Sequence, residues 1–157
     1  MDIICFHRPE AENGYLSNWY MSDFEVDGIE YSSMEQYMMY QKAKYFRDES
    51  MMDEILKTSD VSLIKKLGRC VSNYDSTYWN GIRQIVVYRG VYEKFNQNPD
   101  LKEKLKGTGD AILAECVRSD KIWAIGLSID DEDRLDVSKW KGQNLLGYVL
   151  MMVREEL

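Results

Sequence analysis

One carboxylate in this sequence is set among methionines and aromatics: Glu35, in the stretch YSSMEQYMMYQKAKYF from Tyr31 to Phe46. Acid–base chemistry falls to the carboxylates, because His7 is the sole histidine and any Ser- or Cys-based triad would have to draw on it near the terminus. Burial in such surroundings raises the pKa of a carboxyl group, which suits a general acid or base. The same residue also has a local reading. Ser32-Ser33-Met34-Glu35 fits the S-x-x-E capping box, with Ser32 as N-cap and Glu35 at N3. Spacing alone leaves both readings open.

A chain of 157 residues, 45% hydrophobic and 30% charged, is expected to fold as one domain over residues 1–157. The formal charge of -7 disfavours extended nucleic-acid binding, which needs clustered Lys and Arg, but leaves room for a small phosphorylated ligand in a pocket. No stretch reaches the roughly 20 apolar residues of a membrane helix, and no signal-peptide pattern follows Met1. A cytoplasmic protein without membrane contact is expected. Cys5, Cys70 and Cys116 are odd in number and far apart, which reads as reduced thiols rather than a disulfide framework or zinc site. Neither metal nor cofactor is expected, and the sequence carries no signature of an oligomeric state.

The elements that must position Glu35 follow from pattern. IICF reads as a short strand, and the next segment, HRPEAENGYLSNWY, as a loop. FEVDGIEY reads as a hairpin around Asp27-Gly28. A helix apolar on most sides should start at the capping box. Helices are expected over SMMDEILKT, over VSLIKKLGR ending at Gly68, and from Tyr78 through Phe95, followed by a short one opened by Asn98-Pro99. AILAECV and IWAIGL read as two strands joined by a tight connection, and GQNLLGYVLMMVREEL as a closing core helix. The order gives an α+β fold, helix-rich around a small, mainly antiparallel sheet.

GYLSNWY at 14–20, the Asp27-Gly28 turn, YSSMEQYMMYQKAKYF, TGD at 108–110, AECVRSDKIWAIGL and WKGQNLLGYVLMMVRE at 140–155 follow one another as the motifs of a known family do. In these the chain resembles the NADAR (YbiA-like) family across nearly its whole length. The resemblance implies an N-glycosidase that cleaves a ribose C1–N bond, acting on phosphoribosylamino intermediates of riboflavin biosynthesis such as 5-amino-6-(5-phosphoribosylamino)uracil. It equally admits an ADP-ribosyl glycohydrolase that frees guanine of ADP-ribose, or a non-catalytic module that binds ADP-ribose or an NAD metabolite.

The resemblance assigns Glu35 as the catalytic carboxylate, with Gln36 where many relatives carry His. It matches Lys44 to the lysine of a Q-A-x-K-F segment, Asp120 and Trp123 to D-x-x-W, Asn144 to G-x-N-x-L-G, and Ser17 and Asn18 to the S-N loop; Ala124 stands where glycine is common. Lys44 is nine residues beyond Glu35, about 13 Å along a helix, and is expected within a quarter turn of it, to hold a phosphate or carbonyl or form a Schiff base. Asp120 would position a ribose hydroxyl or assist Glu35, or else bond its own backbone as turn aspartates do. Trp79 and Trp123 offer faces for a base, against the commoner use of tryptophan as core. Asn144 opens the last helix, where free amides suit a phosphate, or it merely caps that helix. Arg8 in the early loop is a second phosphate candidate.

Overall fold

The Asp27-Gly28 pair turns the chain back on itself as a two-residue hairpin loop, with φ of 53° and 81° at its two positions. In the computed structural model, which describes residues 2–157, the regular elements are β1 (Ile3–Phe6), β2 (Met21–Val26), β3 (Ile29–Ser33), α1 (Met34–Tyr45), α2 (Glu49–Leu56), α3 (Val61–Gly68), α4 (Ser76–Gln97), α5 (Pro99–Gly107), β4 (Ile112–Glu115) and α6 (Leu145–Glu156). They sort into two units. One comprises residues 1–20 and 99–157, the other residues 21–98.

In the unit of residues 21–98, β2 and β3 pair antiparallel with Phe24 opposite Tyr31 and Val26 opposite Ile29. Period-two alternation turns Phe24, Val26, Tyr31 and Ser33 inward. Helix α1 packs against β3 and against α2, α3 and α4, which is why nine of its twelve residues are buried. Tyr37 stands edge-on to Tyr31, ring centroids 5.2 Å apart, and its hydroxyl donates to the Val86 carbonyl of α4 at 2.8 Å. Gly90 lets α4 approach that closely, since a Cβ there would collide with the Tyr37 ring. Asp48, Asp60 and Asp75 accept from the first free amides of α2, α3 and α4, so each helix start is closed by the side chain just ahead of it.

In the other unit β1 and β4 pair in parallel, Ile3 opposite Ile112 through Phe6 opposite Glu115, and α6 packs on β4. The α+β class stands. The sheet expected to be mainly antiparallel is instead two separate pairs, one of each sense. IWAIGL, read as a strand, is irregular. Its carbonyls are taken by the chain that leads into α6: Gln143 N donates to Lys121 O, Leu145 N to Ile122 O, Leu146 N to Trp123 O, and Asn144 N to Ala124 O, at 2.9–3.2 Å. The Ile125 carbonyl accepts from both Lys141 N and Gly142 N, and Gly126 has a φ of 73°, which breaks an extended run. The apolar residues are buried as a strand's would be, while the backbone bonds go to a helix start.

Candidate functional site

The amino terminus of α1 places Glu35 and Gln36 in different roles. Ser33, not Ser32, is the N-cap: its φ and ψ are extended and its Oγ accepts from Gln36 N at 3.1 Å. Gln36 is therefore N3. Its Oε1 reaches back to accept from Ser32 N at 2.8 Å and Ser32 Oγ at 3.1 Å, while its Nε2 donates to the carbonyls of Ile55 and Thr58 at the end of α2. The box is shifted by one residue, and Gln36 fills the role the spacing assigned to Glu35. Glu35 sits at N2, 5% exposed, on a helix covered on most sides. Gln36 also lines a shallow groove of about 420 Å³ with Tyr31, Ser32 and Thr58; Glu35 does not line it.

Lys42, seven residues on, lies two helical turns from Glu35 and on the same face, since 7 × 100° falls only about 20° short of 720°. Its Nζ donates to the Gly68 carbonyl at 2.8 Å and stands 4.6 Å from the centre of the Tyr74 ring. Burial lowers the Lys42 pKa; the Glu35 carboxylate pulls it back up and the Arg69 guanidinium presses it down again. The Glu35 carboxylate thus favours the charged form of this half-buried amine, against its burial. A Cβ at Gly68 would meet the Met39 side chain of α1.

Lys44 does not share this face. Nine residues are two and a half turns, which sets it on the side of the helix opposite Glu35, where it is exposed. The seven-residue spacing to Lys42 was the available signal. Trp79 is 6% exposed on α4, with its ring 6.5 Å from Phe46, a core position.

The remaining candidates belong to the unit of residues 1–20 and 99–157. Asp120 Oδ1 accepts from the amides of Ile122 and Trp123, both at 2.9 Å, so it closes its own turn. Trp123 is half-buried in the segment that this turn opens. Asn144 is fully buried with a φ of 53°. Its Nδ2 donates to Leu113 O at 2.9 Å and its Oδ1 accepts from Glu115 N at 3.1 Å, so the side chain pairs the open edge of β4 as a further strand would. The phosphate seat expected there is filled by the protein: the amides of residues 143–146 already donate to carbonyls 121–124. Ser17 is buried, with its Oγ accepting from Trp19 N at 3.1 Å. Asn18 is 7% exposed, and its Oδ1 has no hydrogen-bond partner among the described residues. Arg8 is exposed, 4.0 Å from the Glu10 carboxylate.

Among the described residues no group of His, Cys, Asp or Glu is placed to hold a metal ion, and no helix is long and apolar enough to cross a membrane. Sequence and fold comparison agree on the class: the NADAR domain matches residues 5–157, and the chain belongs to the NADAR family. It is similar to N-glycosidase R617 of Acanthamoeba polyphaga mimivirus, 42% identical over 111 residues, which are 71% of this chain and 65% of that protein. It is similar to riboflavin biosynthesis protein VVA0006 of Vibrio vulnificus, 34% identical over 98% of this chain and 38% of that protein. An NMR structure of Escherichia coli YbiA superposes with a TM-score of 0.81 at 30% identity, covering 99% of this chain and 84% of that one. The chain thus spans just under two thirds of R617 and a smaller part of VVA0006.

Proposed function

We propose that the protein is an N-glycosidase that hydrolyses the ribose C1–N bond of a phosphorylated ribosylamine, with 5-amino-6-(5-phosphoribosylamino)uracil as the model substrate. The observation that carries this reading is a buried carboxylate, Glu35, that the helix does not need for its cap, because Gln36 serves there. As the C1–N bond breaks, positive charge grows on C1 and the ring oxygen, and a fixed carboxylate interacts more strongly with that state than with the substrate. Water adds to C1 as the C1–N bond breaks, Glu35 takes a proton from that water, the departing nitrogen takes one from solvent, and Glu35 returns its proton to solvent. The ammonium of Lys42, two turns along the same face, is the group to meet a phosphate or carbonyl oxygen of the ligand.

The names of the relatives support the same chemistry: R617 is an N-glycosidase and VVA0006 a riboflavin biosynthesis protein. The NADAR match runs through both units, which supports reading residues 1–157 as one functional domain. The test is to incubate purified protein with 5-amino-6-(5-phosphoribosylamino)uracil and follow ribose 5-phosphate, with Glu35→Gln as control. Release by the wild type alone supports the proposal. Turnover of ADP-ribosylated guanosine instead changes the leaving group to guanine, and no release from either substrate overturns the enzymatic reading.

A further inference from the structure

The face of α1 that carries Glu35 does not end at Lys42. Phe46, the C-cap of α1, is eleven residues beyond Glu35, and 11 × 100° overshoots three full turns by only about 20°. At this end the face meets three exposed tyrosines. Tyr74, in the connection between α3 and α4, lies across both residues: its ring centre is 4.6 Å from Lys42 Nζ and 5.3 Å from the centre of the Phe46 ring. Tyr78 of α4 stands edge-on to Phe46 at 5.7 Å, and Tyr45 is 6.3 Å from Tyr78. Phe46 is 7% exposed beneath them, whereas Tyr74 and Tyr78 are 46% and 50% exposed. A contiguous aromatic patch open to solvent marks a contact surface rather than core.

The backbone around the two open rings is fixed on both sides. Asn73, in the left-handed region with a φ of 61°, bends the chain just before Tyr74. Asp75, just after it, accepts from Thr77 N and Tyr78 N and so opens α4. Asp48 Oδ2 accepts from Ser72 N at 2.8 Å, which ties the connection to the start of α2. The rings are thus positioned by the fold rather than left to a ligand to order.

We propose that this patch seats the base of the substrate: a flat ring bearing a carbonyl stacks on Tyr74 and Tyr78, and the carbonyl oxygen accepts from the Lys42 ammonium. The assignment rests on Glu35 acting at ribose C1. The rise from Glu35 to Lys42 is about 10.5 Å, close to the combined length of a ribose and its base. Tyrosine faces stack on planar heterocycles of any sequence. Charge disfavours the other occupant that an aromatic cluster invites, an ammonium ion in a cage. Lys42 already holds the cation's place over Tyr74, and the Arg69 guanidinium adds a second positive charge near it. The carboxylates that flank the connection, Asp48 and Asp75, accept from backbone amides. Trp79, expected to offer a face to the base, is buried beside Phe46, and Tyr74 five residues earlier has the open ring.

The test uses the base and the sugar apart. Binding of 6-aminouracil, 9-methylguanine, ribose 5-phosphate and tetramethylammonium to wild type, Tyr74→Leu, Tyr78→Leu, Tyr74→Phe and Lys42→Met is followed by NMR titration. One free base should bind the wild type, 6-aminouracil where the leaving group is a pyrimidine and 9-methylguanine where it is guanine. Tyr74→Leu and Tyr78→Leu should weaken that base about fivefold to a hundredfold, the worth of a stacked ring, and leave ribose 5-phosphate within about twofold. Tyr74→Phe keeps the ring and should bind as wild type does, and Lys42→Met should weaken the base. Should Tyr74→Leu lose cooperative unfolding, Tyr78→Leu and Lys42→Met decide the point. Unchanged base affinity in these variants, no affinity of the wild type for either base, or a preference for tetramethylammonium overturns the base seat, whatever the protein cleaves. Loss of base affinity in the variants of a protein that cleaves neither substrate supports the seat and overturns only the N-glycosidase reading.

Discussion

Glu35 and Gln36 are adjacent on the first turn of α1, and it is Gln36 that closes the cap with Ser32 and ties α1 to α2, while Glu35 beside it is a buried carboxylate outside the cap. The two substitutions should therefore separate stability from activity. Gln36→Ala removes the Oε1 contacts to Ser32 and two donor bonds, and should cost about 1–3 kcal/mol in urea unfolding. Glu35→Gln, which keeps the side-chain volume and one oxygen, should lower kcat/KM by about 10²–10⁴ while urea unfolding stays cooperative.

Lys42 and Lys44 provide a second pair on the same helix. Lys42→Met should lower kcat/KM at least tenfold, because it removes the ammonium that feels the Glu35 charge. Lys44→Met, on the exposed side, should stay within twofold of wild type in the same assay.

Lys94 makes stability depend on alkaline pH. Full burial pulls its amine down to about 7, against an ordinary value of 10.5. Between those values the unfolded chain holds a proton that the folded chain releases, so this group makes stability rise with pH across that window. Below about 7 both states are protonated and the whole cost of the buried charge is present. The wild-type slope should exceed that of Lys94→Met by up to about 1.4 kcal/mol per pH unit in urea titrations between pH 7.5 and pH 9.5.

Two glycines of α4 should respond with opposite sign to the same change. Gly81 has open space around it, so Gly81→Ala should stabilise by up to about 1 kcal/mol through helix propensity alone. Gly90 faces the Tyr37 ring, which its hydroxyl pins to Val86, so Gly90→Ala should destabilise by about 1–3 kcal/mol. Thermal melts of the two variants decide it.

Sequence pattern reached the elements whose signal is local. The Asp27-Gly28 hairpin, the helix ended by Gly68 and the helix opened by Asn98-Pro99 are where turn and cap chemistry put them. It failed where the deciding partner is distant. Two adjacent serines can each start α1, and the choice rests on Gln36 also reaching carbonyls of α2, 19 and 22 residues away. IWAIGL is as apolar as a strand, and only the α6 amides that claim its carbonyls make it something else. Asn144 looked like an anion-binding helix start for the same reason: both halves of its role lie on β4, about 30 residues back. At the candidate site, the burial of Glu35 was legible from its apolar surroundings, and the seven-residue spacing sets Lys42 on the same face.

The bonds between residues 121–125 and 141–146 also have a temporal consequence. On a ribosome the chain emerges in order, so the irregular segment leaves the tunnel with its carbonyls facing water. Those carbonyls acquire fixed partners only about 20 residues later, when Asn144 and the first turn of α6 arrive and the free edge of β4 is closed by the same side chain. This unit is therefore completed after synthesis of its last helix, whereas the hairpin and helices of residues 21–98 have all their mutual partners in hand much earlier.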